Sequence, residues 1–269
     1  MDHLIVPSDF SPAAKNAMDY AIQLANQFES QITLIHCLGF TATADLWGIQ
    51  LKMREEAKQE LNKMKASSLE PLLSAVNMDV KVLNGTLQEE LKQLSQRQSA
   101  DLIIMGTEGA SDLEALFWET NTVSTINSIN LPILVIPENF VYRPVKEIAF
   151  FVDGWAIQNE VLVLLRRIAT NHQGHIGVHH FVERSGVEGL EANFLSSLQG
   201  LNYSIHQSPD WQDIDLAIEV SLAQTEADLM CMIKRKRQGL SNWAHVSKTT
   251  RMAYHPSVPL LILYENGQT

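Results

Sequence analysis

The chain has 269 residues, of which 45% are hydrophobic and 19% charged, and its formal net charge at pH 7 is -11. This length and composition indicate a globular protein with one large domain or two of ordinary size and exclude a disordered chain. The net negative charge argues against nucleic acid as a partner. The first residues lack a signal-peptide pattern and no run reaches 18 apolar residues, so we expect a cytoplasmic protein without a membrane partner.

Short apolar runs alternate with stretches of helical spacing in the first half of the chain. Ser11 and Pro12 are typical of a helix start, because serine caps the first turn and proline fits its first position. A long second helix is predicted from about Asp45 to Leu73, and Thr86 begins a third helix with a capping box. The predicted strands are residues 3–7, 31–37, 78–83, 101–106 and 132–137.

The second half of the chain repeats the pattern of the first. At an offset of 144 residues, Asp9 aligns with Asp153 and His36 with His180. At an offset of 127 residues, the run ADLIIM aligns with ADLMCM. Two prolines bracket the stretch PENFVYRPV, which predicts a domain boundary there. We therefore predict two similar domains, residues 1–140 and residues 141–269.

Alternating strands and helices predict an α/β fold with two Rossmann-like doubly wound domains, each with a five-stranded, mostly parallel sheet, arranged as a pseudo-dimer. In such sheets, ligands bind outside the carboxyl ends of the strands, where the strand order reverses. Three stretches of the first domain would meet at that crevice: residues 7–9, residues 36–38 and the glycine loop after Met105.

The loop after the fourth strand has the composition of a phosphate site. Gly106 and Gly109 allow backbone N–H groups to approach phosphate oxygens, and the following helix adds the partial positive charge of its N-terminus. Thr120 and Asn121 can add side-chain donors. Glu119 opposes this function, because a carboxylate about 4 Å from a phosphate repels it by on the order of 4 kcal/mol at intermediate dielectric. A tight strand exit is the purely structural interpretation of the two glycines.

The stretches IVPSDFSPAAKNAMDYAIQLA, ITLIHC, ADLIIMGTEGAS and NTVSTINSINLPILVIP resemble the universal stress protein family. The resemblance covers the first half well and the second half weakly, so the chain resembles a tandem member. The family's ATP-binding form carries Gly, two residues, Gly, nine residues and then Gly followed by Ser or Thr. Gly106, Gly109 and Thr120 fit this pattern, whereas Glu119 stands at the position of the third glycine.

The resemblance implies a binding site for ATP, with Mg²⁺, in the first domain. Asp9 would bind the ribose or the base. Cys37 would line the adenine slot beside Pro7 and Ser8, and Met105 would close that slot. The phosphates would be bound by the residues of the glycine loop, which are Gly106, Gly109, Thr120 and Asn121.

The second domain departs further from the family pattern. Ile233 and Lys236 stand at the two glycine positions, and Phe151 and Val152 replace the proline and serine of the first domain. We therefore expect no nucleotide in the second domain. Its basic run, residues 234–237, is either a solvated loop or a site for an anion or an acidic partner.

No residue pattern identifies a catalytic centre or a metal site. The sequence lacks the phosphate-loop, dinucleotide-binding and nucleophile-elbow motifs of enzymes with this architecture. His36 and His180 fit hydrogen-bonded positions at the core edge better than catalytic ones. Neighbours such as His179 and His180 on one predicted strand face opposite sides of the sheet, which argues against a shared metal ion. Cys37 and Cys231 lie in apolar runs typical of small buried side chains in a reducing compartment.

Three functions remain open from the sequence. The first is a non-enzymatic stress-response protein that binds ATP in its first domain for regulation and recognises an unidentified protein partner. The second is an interaction scaffold that has lost its ligand. The third is a nucleotidyl transferase-like enzyme, because that class shares this architecture. The sequence leaves homo-oligomer formation open.

Overall fold

The computed structural model describes residues 1–39, 47–68, 76–97, 100–107, 121–152, 157–182, 192–209, 214–235 and 257–265. The chain divides into two compact units, Met1–Tyr142 with Ala253–Ser257 and Arg143–Met252 with Val258–Thr269. No helix within the described ranges is long and apolar enough to cross a membrane.

The first unit alternates strands and helices. Its adjacent strands are all parallel, in the order β3-β2-β1-β4-β5, and the central strands β1 and β4 are largely buried, as expected for strands covered on both faces. The strand order reverses between β1 and β4, which confirms the predicted doubly wound topology. The elements are β1 (His3–Pro7), α1 (Pro12–Phe28), β2 (Gln31–Cys37), α2 (Trp47–Ala66), β3 (Met78–Leu83), α3 (Leu87–Gln96), β4 (Leu102–Thr107), α4 (Asn121–Ser128) and β5 (Ile133–Pro137).

Helix α1 lies where the sequence predicts it. Ser11 Oγ accepts a hydrogen bond from Ala14 N at 3.1 Å and so caps the first turn. At the other end, Glu29 has a left-handed φ of 53°, and Ser30 N donates to Ala25 O at 2.9 Å. This C-cap satisfies a terminal carbonyl and turns the chain directly into β2.

Helix α2 ends earlier than the sequence predicts, at Ala66 rather than near Leu73. Ser67 and Ser68 follow the last turn, and both hydroxyls donate to Met64 O, at 2.8 and 3.1 Å. Serine side chains that bind nearby carbonyls offer the backbone an alternative to further helix. The capping box predicted at the start of α3 is confirmed.

The second unit has the same strand order as the first. Its adjacent strands are all parallel, in the order β8-β7-β6-β9-β10. The elements are β6 (Glu147–Val152), a 3-10 helix (Asn159–Leu162), α5 (Val163–His172), β7 (His175–Val182), α6 (Ala192–Ser197), β8 (Asn202–Pro209), α7 (Ile214–Thr225), β9 (Leu229–Arg235) and β10 (Leu260–Glu265).

The amino ends of the strands carry the same hydrogen bonds in both units. Asp101 Oδ2 accepts from the backbone N–H groups of Asp2, at 2.6 Å, and His3, at 3.0 Å. Asp228 Oδ2 accepts in the same way from Lys146, at 2.8 Å, and Glu147, at 3.0 Å. We call each set an amino-edge clamp. It joins the start of the first strand of a unit to the start of the fourth.

Candidate functional site

The predicted site residues that the structure describes lie at the carboxyl ends of β1, β2 and β4 and at the start of α4. Pro7 ends β1 and is buried, as is Ser8, whereas Asp9 is exposed. Cys37 ends β2, and Met105 and Gly106 lie near the end of β4. The strand order therefore brings these residues to one edge of the sheet. Asn121 begins α4, and the predictions for Gly109, Glu119 and Thr120 concern residues outside the described ranges.

The turn after β1 is fixed by hydrogen bonds on both sides of Asp9. Ser8 N donates to Ile35 O at 2.8 Å, and Ser8 Oγ accepts from Phe10 N at 3.1 Å. Asp9 Oδ1 accepts from Ser11 N at 3.0 Å, which forms an Asx turn into α1. Asp9 Oδ2 has no hydrogen-bond partner among the described residues. An exposed carboxylate oxygen at the strand reversal suits a hydroxyl or amine donor of a ligand.

His36 contributes to this turn in a way that the sequence pattern does not reveal. Its Nδ1 lies 2.8 Å from Ser8 O, and because a carbonyl only accepts, Nδ1 carries the proton. The ring centroids of His36 and Phe10 are 4.4 Å apart, and Phe10 has a left-handed φ of 70°. The prediction that His36 is a hydrogen-bonded residue at the core edge is confirmed. The available signal was its position beside Cys37 at the carboxyl end of β2.

Gly106 has a packing role that the phosphate interpretation did not include. A Cβ at this position would overlap the Ala13 carbonyl and lie 3.0 Å from Ala14 N. The absence of a side chain therefore lets the first turn of α1 pack directly on β4. Gly106 O accepts a hydrogen bond from Thr122 Oγ1 at 3.2 Å, which links the start of α4 to the same strand.

Cys37 presents a neutral thiol at this edge. It is half-buried, and burial raises the pKa of its thiol to about 12, with a further contribution from the negative charge of Glu90. The side chain is therefore unsuited to nucleophilic chemistry at neutral pH. Cys231 is fully buried, as predicted, and burial also raises its thiol pKa.

The corresponding edge of the second unit has different chemistry. Arg235 Nε at the end of β9 lies 2.7 Å from Glu265 Oε2, and the other oxygen of that carboxylate accepts from Gln158 N at 3.0 Å. Burial lowers the pKa of Lys234 to about 8. Part of the predicted basic run is thus held in an ion pair. Asp153 and residues 236–237 lie outside the described ranges.

Three rings lie in register across β6, β7 and β8 of the second unit. Phe151 and His179 stack with centroids 5.0 Å apart, as do His179 and His206. Burial lowers the pKa of His179 to about 4, with a smaller contribution from His206. Among the described residues, no group of three or more His, Cys, Asp or Glu side chains is arranged to hold a metal ion.

The strand order of each unit defines a doubly wound α/β protein, and the Asp9 turn lies at the strand reversal of the first unit. Residues 1–137 match the model of the Universal stress protein family, and the chain belongs to that family. This confirms the resemblance predicted from the sequence.

Two relatives of known sequence agree with this assignment, and one solved structure has the same fold. The chain is 26% identical over 150 residues to a universal stress protein of Methanocaldococcus jannaschii, covering 54% of this chain and 84% of the relative. A second universal stress protein of that organism is 23% identical over 150 residues, covering 49% and 93%. A solved universal stress protein from Archaeoglobus fulgidus has the same fold, with a TM-score of 0.77 at 15% identity over 97% of each chain.

Proposed function

We propose that this stress-response protein binds ATP in its first unit, at the carboxyl edge between β1 and β4, and that the bound nucleotide regulates recognition of a protein partner. The observation that carries the proposal is the Asp9 turn. It lies at the strand reversal and is fixed through Oδ1, and no described residue bonds Oδ2. A ribose hydroxyl or the amino group of adenine has the donor that such an oxygen accepts.

The surroundings of Asp9 support an adenine nucleotide with its base toward β2. Pro7, Ser8 and Met105 are buried, and the neutral Cys37 thiol adds a weakly polar surface. A planar, mostly apolar base suits such an edge. The phosphates would extend toward Gly109 and Thr120 and toward Asn121 at the start of α4, and Mg²⁺ would accompany them. Gly106 would act mainly by keeping α1 close to β4.

Glu119 provides the test of the proposal. Its carboxylate, at the position of the third family glycine, should weaken phosphate binding by about 1 to 2 kcal/mol when partly screened. We therefore expect Glu119→Gly to bind ATP roughly 5- to 30-fold more tightly than wild type. Glu119→Gln, which removes the charge but keeps the length, should give most of this gain. Adenosine, which lacks phosphates, should bind all three proteins equally well.

Calorimetric titration of the full chain with ATP and adenosine, at one salt and magnesium concentration, measures these affinities. Glu138→Gln serves as the control for loss of a negative charge elsewhere in the first unit. Equal ATP affinities in wild type and both Glu119 variants would show that the carboxylate does not face the phosphates. Absence of ATP binding in all of them would favour the ligand-free scaffold.

An enzymatic role has weaker support. The half-buried cysteine at the site keeps its proton at neutral pH, because burial raises its pKa to about 12. Release of pyrophosphate from ATP by the purified protein would favour the transferase alternative over simple binding.

A further inference from the structure

A single side chain contacts the residues on both sides of Asp9. His36 donates its Nδ1–H to the carbonyl of Ser8, at 2.8 Å, and its ring packs against that of Phe10, with centroids 4.4 Å apart. We propose that His36 is a positioning residue for the nucleoside part of the ligand. It acts by fixing the turn that carries the Asp9 carboxylate. This inference rests on the proposed nucleotide binding.

The turn has a physical reason to relax when His36 is lost. Phe10 has a φ of 70°, in the left-handed region that a bulky side chain rarely adopts. Such a conformation persists only where neighbouring contacts hold it. Two contacts of Phe10 are the bond from its backbone N–H to Ser8 Oγ, at 3.1 Å, and the contact of its ring with that of His36. Because Asp9 lies between Ser8 and Phe10, relaxation of the turn displaces its carboxylate.

The effect of losing the His36 bond should stay local. Ser8 is also tied to β2 through its N–H, which donates to Ile35 O at 2.8 Å, and to α2 through its hydroxyl, 3.3 Å from Met64 Sδ. The β1–β2 ladder is made by backbone groups and does not need the imidazole. The first unit should therefore remain folded when the His36 side chain is exchanged for another polar one.

Two amide substitutions separate positioning from packing. Asparagine places its amide nitrogen near the position of Nδ1, whereas glutamine places it near that of Nε2. His36→Asn therefore keeps a donor for Ser8 O, and His36→Gln does not. Both substitutions remove the aromatic contact with Phe10, so a difference between them reports mainly the hydrogen bond to Ser8 O.

The experiment is a calorimetric titration of the full-length chain with ATP and with adenosine, accompanied by thermal unfolding of each protein. We expect both variants to bind more weakly than wild type, because both lose the ring contact with Phe10, and His36→Gln to bind both ligands about 5- to 20-fold more weakly than His36→Asn. His3→Asn is the matched control, because the His3 ring bonds Thr33 Oγ1, at 2.7 Å, at the other end of β1. Its ligand affinities should equal those of wild type.

The possible failures are distinguishable. Equal affinities of the Asn and Gln variants, or a loss confined to ATP, would overturn the inference and leave the proposed function intact. A loss of binding that merely follows the unfolded fraction would overturn it as well, because the role of His36 would then be structural. Absence of ATP binding by the wild-type chain would overturn both the inference and the proposed function.

Discussion

Gly106 cannot accept a side chain, because its Cβ would overlap the carbonyl of Ala13 in α1. The obstructing atoms belong to the backbone of a capped helix and cannot rotate away. We expect Gly106→Ala to lower the free energy of unfolding by about 3 kcal/mol or more. Gly48→Ala is the control, since a Cβ there meets no atom within 4 Å. Urea denaturation measures both, and equal stabilities would contradict the packing role of Gly106.

His179 should make stability depend on pH. The residue is 5% exposed, and burial lowers its pKa from 6.5 to about 4 in the folded state. On acidification the unfolded chain takes up the proton first, so the stabilisation present above pH 6.5 is lost as the pH falls toward 4. We expect His179→Phe, which cannot titrate, to lose about 1 to 2 kcal/mol less than wild type between pH 7 and pH 5. Parallel curves of unfolding free energy against pH would contradict this.

The positions of the candidate-site residues in the fold were predictable to different degrees. Asp9 and Cys37 could be located because each follows an apolar run, and the ends of parallel strands share an edge. The bond from His36 to Ser8 depends on how two strands align in space, which no local pattern records. The left-handed backbone of Phe10 could not be predicted from the sequence either, because that conformation is rare for a bulky residue.

The two amino-edge clamps should differ in how much they stabilise the folded protein. Asp228 lies 2.6 Å from Arg143 Nε in addition to its two backbone bonds, and its side chain is 12% exposed. Asp101 is exposed, so water can replace it more easily. We expect Asp228→Ala to cost about 2 to 3 kcal/mol of unfolding free energy and Asp101→Ala about 1 kcal/mol. Asp79→Ala, on an exposed position of β3, is the control.

Chemical denaturation followed by circular dichroism measures these costs. A loss for Asp101→Ala as large as that for Asp228→Ala would show that the ion pair and the burial of Asp228 add nothing. Asp101→Asn, which keeps an acceptor oxygen, should recover part of the loss.

The sequence predicted the positions of the strands better than it predicted where helix α2 ends. The strands could be located because buried parallel strands are short, nearly continuous apolar runs bounded by polar residues. The helical spacing before Ala66 gives no comparable signal for its end, because the competing bonds of Ser67 and Ser68 depend on hydroxyl orientation.

For the whole molecule, the proposal predicts one nucleotide per chain. The second unit lacks the glycines of the first, and the Arg235–Glu265 ion pair lies at its corresponding edge. We expect a calorimetric stoichiometry near one ATP, abolished or strongly reduced by Asp9→Ala and unchanged by Asp153→Ala. Two equivalents of ATP per chain would refute the assignment of an empty second unit, and loss of binding in Asp153→Ala alone would reverse it.

The amino-edge clamps have a consequence for how such a chain can acquire new activities. Each clamp ties the start of the first strand of a unit to the start of the fourth, at the end of the sheet opposite the proposed ligand edge, so these bonds do not depend on the carboxyl-edge loops. Loops at the carboxyl edge can then be exchanged at little risk to folding. Because the two units have the same strand order and the same clamp, grafting the first unit's carboxyl-edge loops onto the second is a route to a protein with two ligand sites.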